Sequence, residues 1–163
     1  GEFIVGKYLG LSVTLFVKVL IMGIGVTLAL LYVGGGRLIG GVWGAILLIF
    51  LELTIVTAVA IMFSSFSTPA LSALLTFFVF LIGHFSSSLL DLATSLGSKT
   101  AIWFFTAIYV LLPNLSNFSF IANSANGDAP TLAWIGSAAA YALIYDVIIM
   151  TITVVVFSRR NFK

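Results

Sequence analysis

Long apolar runs separated by short polar turns organise this chain. The clearest pair is ELTIVTAVAIMFSSFSTPALSALLTFFVFLIGH (52–84), in which two apolar runs flank the uncharged turn SSFSTP. The first run has about the length of a bilayer crossing and the second is slightly shorter, whereas the turn is too short to hold a domain. Pro69 suits the first turn of a helix, where its missing N–H group would be unpaired anyway. The pattern predicts a transmembrane helical hairpin.

The remaining runs extend this hairpin into a bundle with four predicted crossings, at about 8–33, 39–63, 69–84 and 132–157. A further apolar run, at about 100–113, is too short for a hydrocarbon core of ~30 Å because each helical residue adds only ~1.5 Å. It predicts a short re-entrant or interfacial helix on the outer side. Residues 1–7 predict the end of an interfacial segment at the membrane surface.

Composition agrees with a membrane-embedded chain. The 163 residues are 61% hydrophobic and only 7% charged, whereas a soluble domain carries roughly 25% charged residues. The runs are continuous rather than alternating, which favours helices over a β-barrel. We therefore expect an all-α, polytopic transmembrane helical bundle that forms a single domain over residues 1–163. The absence of cysteine excludes disulfides and thiolate chemistry.

Basic residues predict the orientation. Four lie near the two ends of the chain and two lie between crossings: Lys7, Arg159, Arg160 and Lys163 against Arg37 and Lys99. Because cytoplasmic loops are enriched in Lys and Arg, we expect both ends of the chain in the cytoplasm. This topology explains the net charge of +2 without a nucleic-acid partner. Residue 1 is not Met, and we expect the chain to be a piece of a longer protein.

Three charged residues fall inside the predicted crossings: Lys18, Glu52 and Asp146. A charge at mid-membrane costs at least ~2.5–3.5 kcal/mol, and helix rise places all three at similar depth. We expect them to form a buried charge cluster in which Lys18 faces Glu52. Two interpretations stay open: a structural ion pair that fixes the helices, or a polar pathway that couples transport to protons or ions.

Glycines at Gly36, Gly40 and Gly44 repeat every four residues. Such a stripe lies on one helix face and allows two helix backbones to approach closely. The alternative is that glycine is simply common in membrane helices. We expect close helix packing along this stripe.

No pattern in the sequence predicts a catalytic or metal site. His84 is the only histidine, and a metal site needs several ligands. We expect His84 to cap the third crossing at the outer interface. Neither a nucleophile elbow nor a phosphate-binding glycine loop is present. We therefore expect no enzymatic activity and no cofactor in this chain.

Several stretches together resemble the ABC-2 type permeases, the membrane subunits of type-2 ABC exporters, and in particular the permeases of multi-copper enzyme maturation. They are GEFIVGKYLG, the hairpin 52–84, YVLLPNLSNFSF and the final run ending FSRRNFK. The resemblance covers nearly the whole chain. It rests on the general residue character and the order of these stretches rather than on a catalytic motif.

This resemblance implies six crossings, of which the chain supplies the third to the sixth. It implies that Glu2, Phe3, Ile4 and Lys7 end a coupling helix that contacts a cytoplasmic ABC ATPase subunit. It also implies short re-entrant helices before the last crossing and a dimer of two permease copies, with ATP and Mg²⁺ bound by the ATPase. The competing hypothesis is an ion-coupled secondary carrier or channel that uses Lys18, Glu52 and Asp146 directly.

Overall fold

The structure is a computed structural model that describes residues 2–85, 88, 91, 94–95 and 99–160. The described helices are α1 (Glu2–Tyr32), α2 (Ile39–Ser64), α3 (Pro69–His84), α4 (Lys99–Leu111), α5 (Ile121–Ala125) and α6 (Leu132–Arg160), with 3-10 turns at Gly36–Leu38 and Leu115–Phe118. No strand occurs among these elements. The prediction of an all-α protein is confirmed.

In the described part of the chain, three helical segments are long and apolar enough to cross a membrane: α1, Gly36–Ser64 and Leu132–Ser158. The chain is therefore membrane-embedded, as predicted. The fourth predicted crossing corresponds to α3, whose 16 residues span only ~24 Å. It is shorter than a bilayer core of ~30 Å, and four crossings are not confirmed.

Helix α2 is the central element of the bundle. It contacts α1, α3, α5 and α6, and its contact with α6 is the most extensive. It contributes buried residues to both apolar clusters of the core, Leu48 and Ile55 to one and Ala58 and Ile61 to the other. A helix that is apolar on every side is typically buried among other helices, and α2 is such a helix.

A segment that contains the 3-10 turn Leu115–Phe118, but no α-helix, inserts between α2, α3 and α6 directly after α4. Leu115 and Phe118 are fully buried and pack against Leu48 and Ile55 of α2. Irregular backbone is tolerated at membrane depth only where protein surrounds it and its polar groups are satisfied. The N–H group of Asn114 donates to the Tyr141 hydroxyl oxygen at 2.9 Å, which meets this requirement.

The short helix predicted at 100–113, re-entrant or interfacial, corresponds to α4, but the segment that inserts into the bundle lies after it. The backbone that enters the bundle begins at Pro113, which is buried, and not within α4. Among the described residues, α4 has no extensive contact with another element. Gly83 allows the insertion, because a Cβ atom there would lie 2.6 Å from the Pro113 carbonyl oxygen.

The predicted glycine stripe is largely wrong. Gly36 lies in a 3-10 turn outside α2, and a Cβ atom added at Gly36 or at Gly40 would meet no other group within 4 Å. Gly44 does lie against Pro130, and the neighbouring Gly41 lies against the Asp128 carbonyl oxygen. The close approach is thus made by a loop and not by a second long helix.

Candidate functional site

Two carboxylates are buried on opposite sides of α2. Glu52 belongs to α2 and is 8% exposed, whereas Asp146 belongs to α6 and is 6% exposed. Glu52 faces α3, and Asp146 lies beside Thr54 of α2. Positions 52 and 54 point about 200° apart on a helix. The two carboxylates therefore form two separate sites at nearly the same level of the bundle.

The first site joins α2 to the end of α3. His84 Nδ1 lies 3.4 Å from Glu52 Oε1, and the histidine side chain is 37% exposed. The His84 ring also stacks on Phe80, with 5.7 Å between ring centroids. Glu52 and Phe80 thus both hold the His84 ring in place.

The interpretation of His84 as a cap of α3 at the outer interface did not include its contact with Glu52. The residue does occupy the last turn of α3. Its partner could have been found from the hairpin itself. An antiparallel pair with its turn near residue 66 places position 52 opposite about position 81, one helical turn from His84.

The second site joins the beginning of α1 to α6. The Tyr8 hydroxyl donates to Asp146 Oδ2 at 2.7 Å. The hydroxyl groups of Ser12 and Thr54 lie beside that of Tyr8, so that α1, α2 and α6 all contribute oxygen atoms. Sequence reasoning did not assign a role to Tyr8, Ser12 or Thr54. Isolated hydroxyl residues in apolar helices carry no signal of a shared site.

Lys18 does not belong to a buried charge cluster. Its side chain is exposed, and the ion pair found in the described part of the chain joins Glu52 to His84 instead. Lys18 of α1 and Glu52 of α2 do lie at similar depth, since Phe16 contacts Phe50 with 5.5 Å between ring centroids. The predicted pairing of Lys18 with Glu52 is wrong because equal depth does not fix the rotation of a helix.

The four predicted coupling residues lie in the first turns of α1, which is continuous with the crossing. Glu2, Phe3 and Lys7 are exposed, whereas Ile4 is only 3% exposed. Ile4 packs with residues of α2 and α6 in the second apolar cluster. Its side chain is therefore occupied within this chain and does not form a free docking surface.

Two apolar clefts flank these sites. A groove of about 510 Å³ between α1, α2 and α3 has Lys7 at one end and small hydroxyl residues along α3. A second cleft of about 470 Å³ lies between α2, α3 and α6 and includes Pro113 and Tyr145. No group of three or more metal-ligating His, Asp or Glu residues occurs in the described ranges. The titratable chemistry therefore resides in the two carboxylate sites, each of which can hold a proton or another cation.

Comparison with family models, characterised proteins and solved structures finds no match for this chain.

Proposed function

We propose that this chain is the C-terminal part of an ABC-2 type exporter permease, which forms the substrate path and is driven by a separate cytoplasmic ATPase. The observation that carries the proposal is the segment 113–118, which folds into the bundle between a short helix and the last crossing. The resemblance implies short re-entrant helices at this place in the chain.

The order of the elements supports the same proposal. A long crossing leads to the hairpin of α2 and α3, then to the short α4, the inserted segment, α5 and the final helix α6. The start of α1 and the last turns of α6 lie at one end of the bundle, since Ile4, Ile149 and Phe157 share one apolar cluster. This packing supports a topology with both ends in the cytoplasm of a bacterial-type cell.

The open surface of α1 supports a dimer. Only Ile4 and Gly23 of its 31 residues are buried. Large apolar side chains cover the rest of the helix, including Ile21 and Met22 at 63% and 69% exposure. In the proposed assembly this surface contacts lipid, the two preceding crossings or a second permease copy, and the substrate passes along the interface between the two copies.

The exposed part of the coupling segment supplies the contact with the ATPase. Phe3 is 73% exposed and lies one residue from Ile4, which is anchored in the core. A motion of the ATPase that displaces Phe3 would therefore pass through Ile4 to α2 and α6. ATP and Mg²⁺ bind to the partner chain in this mechanism, and this chain performs no chemistry.

A second candidate, an ion-coupled carrier or channel, is favoured by one observation. Asp146 Oδ1 is buried without a hydrogen bond to any described residue, and the buried Glu52 Oε1 has only its 3.4 Å ion-pair contact with His84. A buried ionisable group in a membrane helix is by default a candidate for ion or proton transport. Lys18 has no part in this candidate, because its side chain is exposed.

Transport in proteoliposomes distinguishes the two. We expect the full-length permease with its ATPase to move substrate only when ATP is present, and Phe3→Ala to lower the transport-linked ATP turnover several-fold while insertion stays normal. Arg37→Ala, on the predicted outer side, is the matched control and should leave turnover unchanged. Substrate movement down an ion gradient without ATPase or ATP would contradict the exporter proposal and favour the carrier.

A further inference from the structure

The hydroxyl-lined site around Asp146 has a property that the exporter proposal does not use. Asp146 Oδ2 accepts the Tyr8 hydroxyl, but Oδ1 is buried and has no hydrogen-bond partner among the described residues. The Ser12 Oγ atom, on the neighbouring helix, is also buried without a hydrogen-bond partner in the described ranges. Two unsatisfied oxygen atoms in one apolar bundle are costly unless a ligand satisfies them.

Ser12 is unusual among the helical hydroxyl residues of this chain. Thr14 and Thr27 of the same helix donate to the carbonyl group four residues earlier, at 2.8 Å in both cases. Thr57, Thr76 and Thr153 do the same in other helices. This local bond is the ordinary way for a hydroxyl to be satisfied in a membrane helix. Ser12 does not use it, and its oxygen atom faces the Tyr8 hydroxyl instead.

The other two hydroxyl groups present lone pairs rather than protons to the site. The Tyr8 proton is donated to Asp146 Oδ2, and the Thr54 proton is donated to the Leu51 carbonyl oxygen at 2.7 Å. Oxygen lone pairs from a carboxylate and several hydroxyls are the ligands that hard cations prefer. A proton alone would occupy a single oxygen and leave the others unused.

We propose that Asp146, Tyr8, Ser12 and Thr54 form a binding site for a hard monovalent cation, for which Na⁺ is the probe. One carboxylate supplies one negative charge, so a monovalent cation makes the site neutral, whereas a divalent cation would leave a net charge in an apolar surrounding. The site is formed by α1, α2 and α6 together. Its occupancy therefore ties the beginning of α1 to the two most extensively packed helices.

The remaining charged and titratable groups of the described bundle do not compete for this site. Glu52 and His84 pair on the opposite side of α2, and the Lys18 side chain is exposed. Tyr145 stacks on Tyr141, with 6.0 Å between ring centroids. The contact between α1 and α6 is otherwise small and is flanked by a cavity of about 320 Å³ lined by Val5, Val147 and Met150. The bound ion would strengthen a weak junction.

Thermal unfolding of the purified protein in lipid nanodiscs tests the proposal. At fixed pH and ionic strength, replacing choline chloride with NaCl at about ten times the dissociation constant should raise Tm by about 3–6 °C, because the ligand binds the folded state. Asp146→Asn should abolish the shift, and Ser12→Ala should require several-fold more Na⁺ for the same shift. Thr14→Ala and Glu52→Gln are the matched controls and should retain it.

Two results would overturn the proposal. One is a wild-type Tm that is equal in choline chloride and NaCl, or a shift that persists in both Asp146→Asn and Ser12→Ala. The other is a Tm that ignores Na⁺ but changes with pH only while Asp146 is present, which would assign a proton to the site. If Asp146→Asn does not fold, the titration of Ser12→Ala against Thr14→Ala decides the question.

Discussion

Helices α1 and α2 have similar length and apolar composition but opposite places in the structure. In the most apolar 18-residue window of each helix, 6% of residues are buried in α1 and 39% in α2. Helix α2 contacts almost every other element, whereas α1 lies along one side of it. Both satisfy the requirements for a membrane crossing. Apolar composition therefore predicts that a helix enters the bilayer, but it does not predict whether protein or lipid surrounds the helix there.

The difference in burial between α1 and α2 also determines whether their charged side chains have a partner within the protein. The carboxylate of Glu52 lies on the buried helix and finds a partner from α3 at 3.4 Å. The cation of Lys18 lies on the open helix and is exposed. A long lysine side chain can extend its ammonium group toward the interface, whereas a short buried carboxylate needs a partner within the protein. The burial of each helix thus predicts the behaviour of its charges.

The largest expected effect comes from cavities in the two helices. Ile55→Ala on α2, at 0% exposure, should lower the free energy of unfolding by about 2–5 kcal/mol, because buried contacts are lost and a cavity remains. Ile21→Ala on α1, at 63% exposure, should change it by less than about 0.5 kcal/mol. Reversible unfolding in mixed micelles measures both. Equal losses would mean that α1 is as tightly packed as α2.

Substitution of two adjacent glycines of α2 should change the free energy of unfolding by a smaller amount, and one substitution serves as the control for the other. Gly41→Ala places a Cβ atom against the Asp128 carbonyl oxygen, and we expect a loss of about 1–3 kcal/mol from overpacking. Gly40→Ala meets nothing within 4 Å and should be neutral or stabilising by up to about 1 kcal/mol through helix propensity. The same unfolding assay compares them. A loss at Gly40 that matches the loss at Gly41 would restore the predicted glycine stripe.

Breaking the pair formed by Glu52 and His84 should have the smallest effect on the free energy of unfolding. A double-mutant cycle with Glu52→Gln and His84→Gln should show a coupling of about 1 kcal/mol, because the two side chains are in contact. The matched cycle with Glu52→Gln and Lys18→Met should be additive within about 0.5 kcal/mol. If the lysine cycle shows the coupling and the histidine cycle does not, the pairing in the structure is incorrect.

Much of the fold follows from the sequence alone. The apolar runs predict α2 at 39–63 and α6 at 132–157, and the helices occupy Ile39–Ser64 and Leu132–Arg160. Pro69 begins α3 as predicted. These features depend on hydropathy and turn chemistry, which are local properties of the chain.

The candidate site was harder to predict because it depends on helix rotation. The sequence identifies Glu52 and Asp146 as costly buried charges, but it does not identify their partners, His84 and Tyr8. A helix turns by about 100° per residue, so depth alone cannot state which face meets a neighbour. The insertion of residues 114–118 was not predicted for a similar reason, since their burial depends on contacts with α2 and α3 rather than on their own composition.

Accessibility of spin labels in the bilayer tests the contrast between α1 and α2 most directly. The chain has no cysteine, so single cysteines can be placed at Ile21 and Met22 of α1 and at Ala45 and Ala58 of α2. For this chain reconstituted at low density, without the preceding crossings or a second copy, we predict frequent collisions with dissolved oxygen and few with a polar nickel reagent for the α1 labels, as for side chains in lipid. The α2 labels should collide rarely with both, as for side chains surrounded by protein. Equal oxygen accessibility on the two helices would contradict the account.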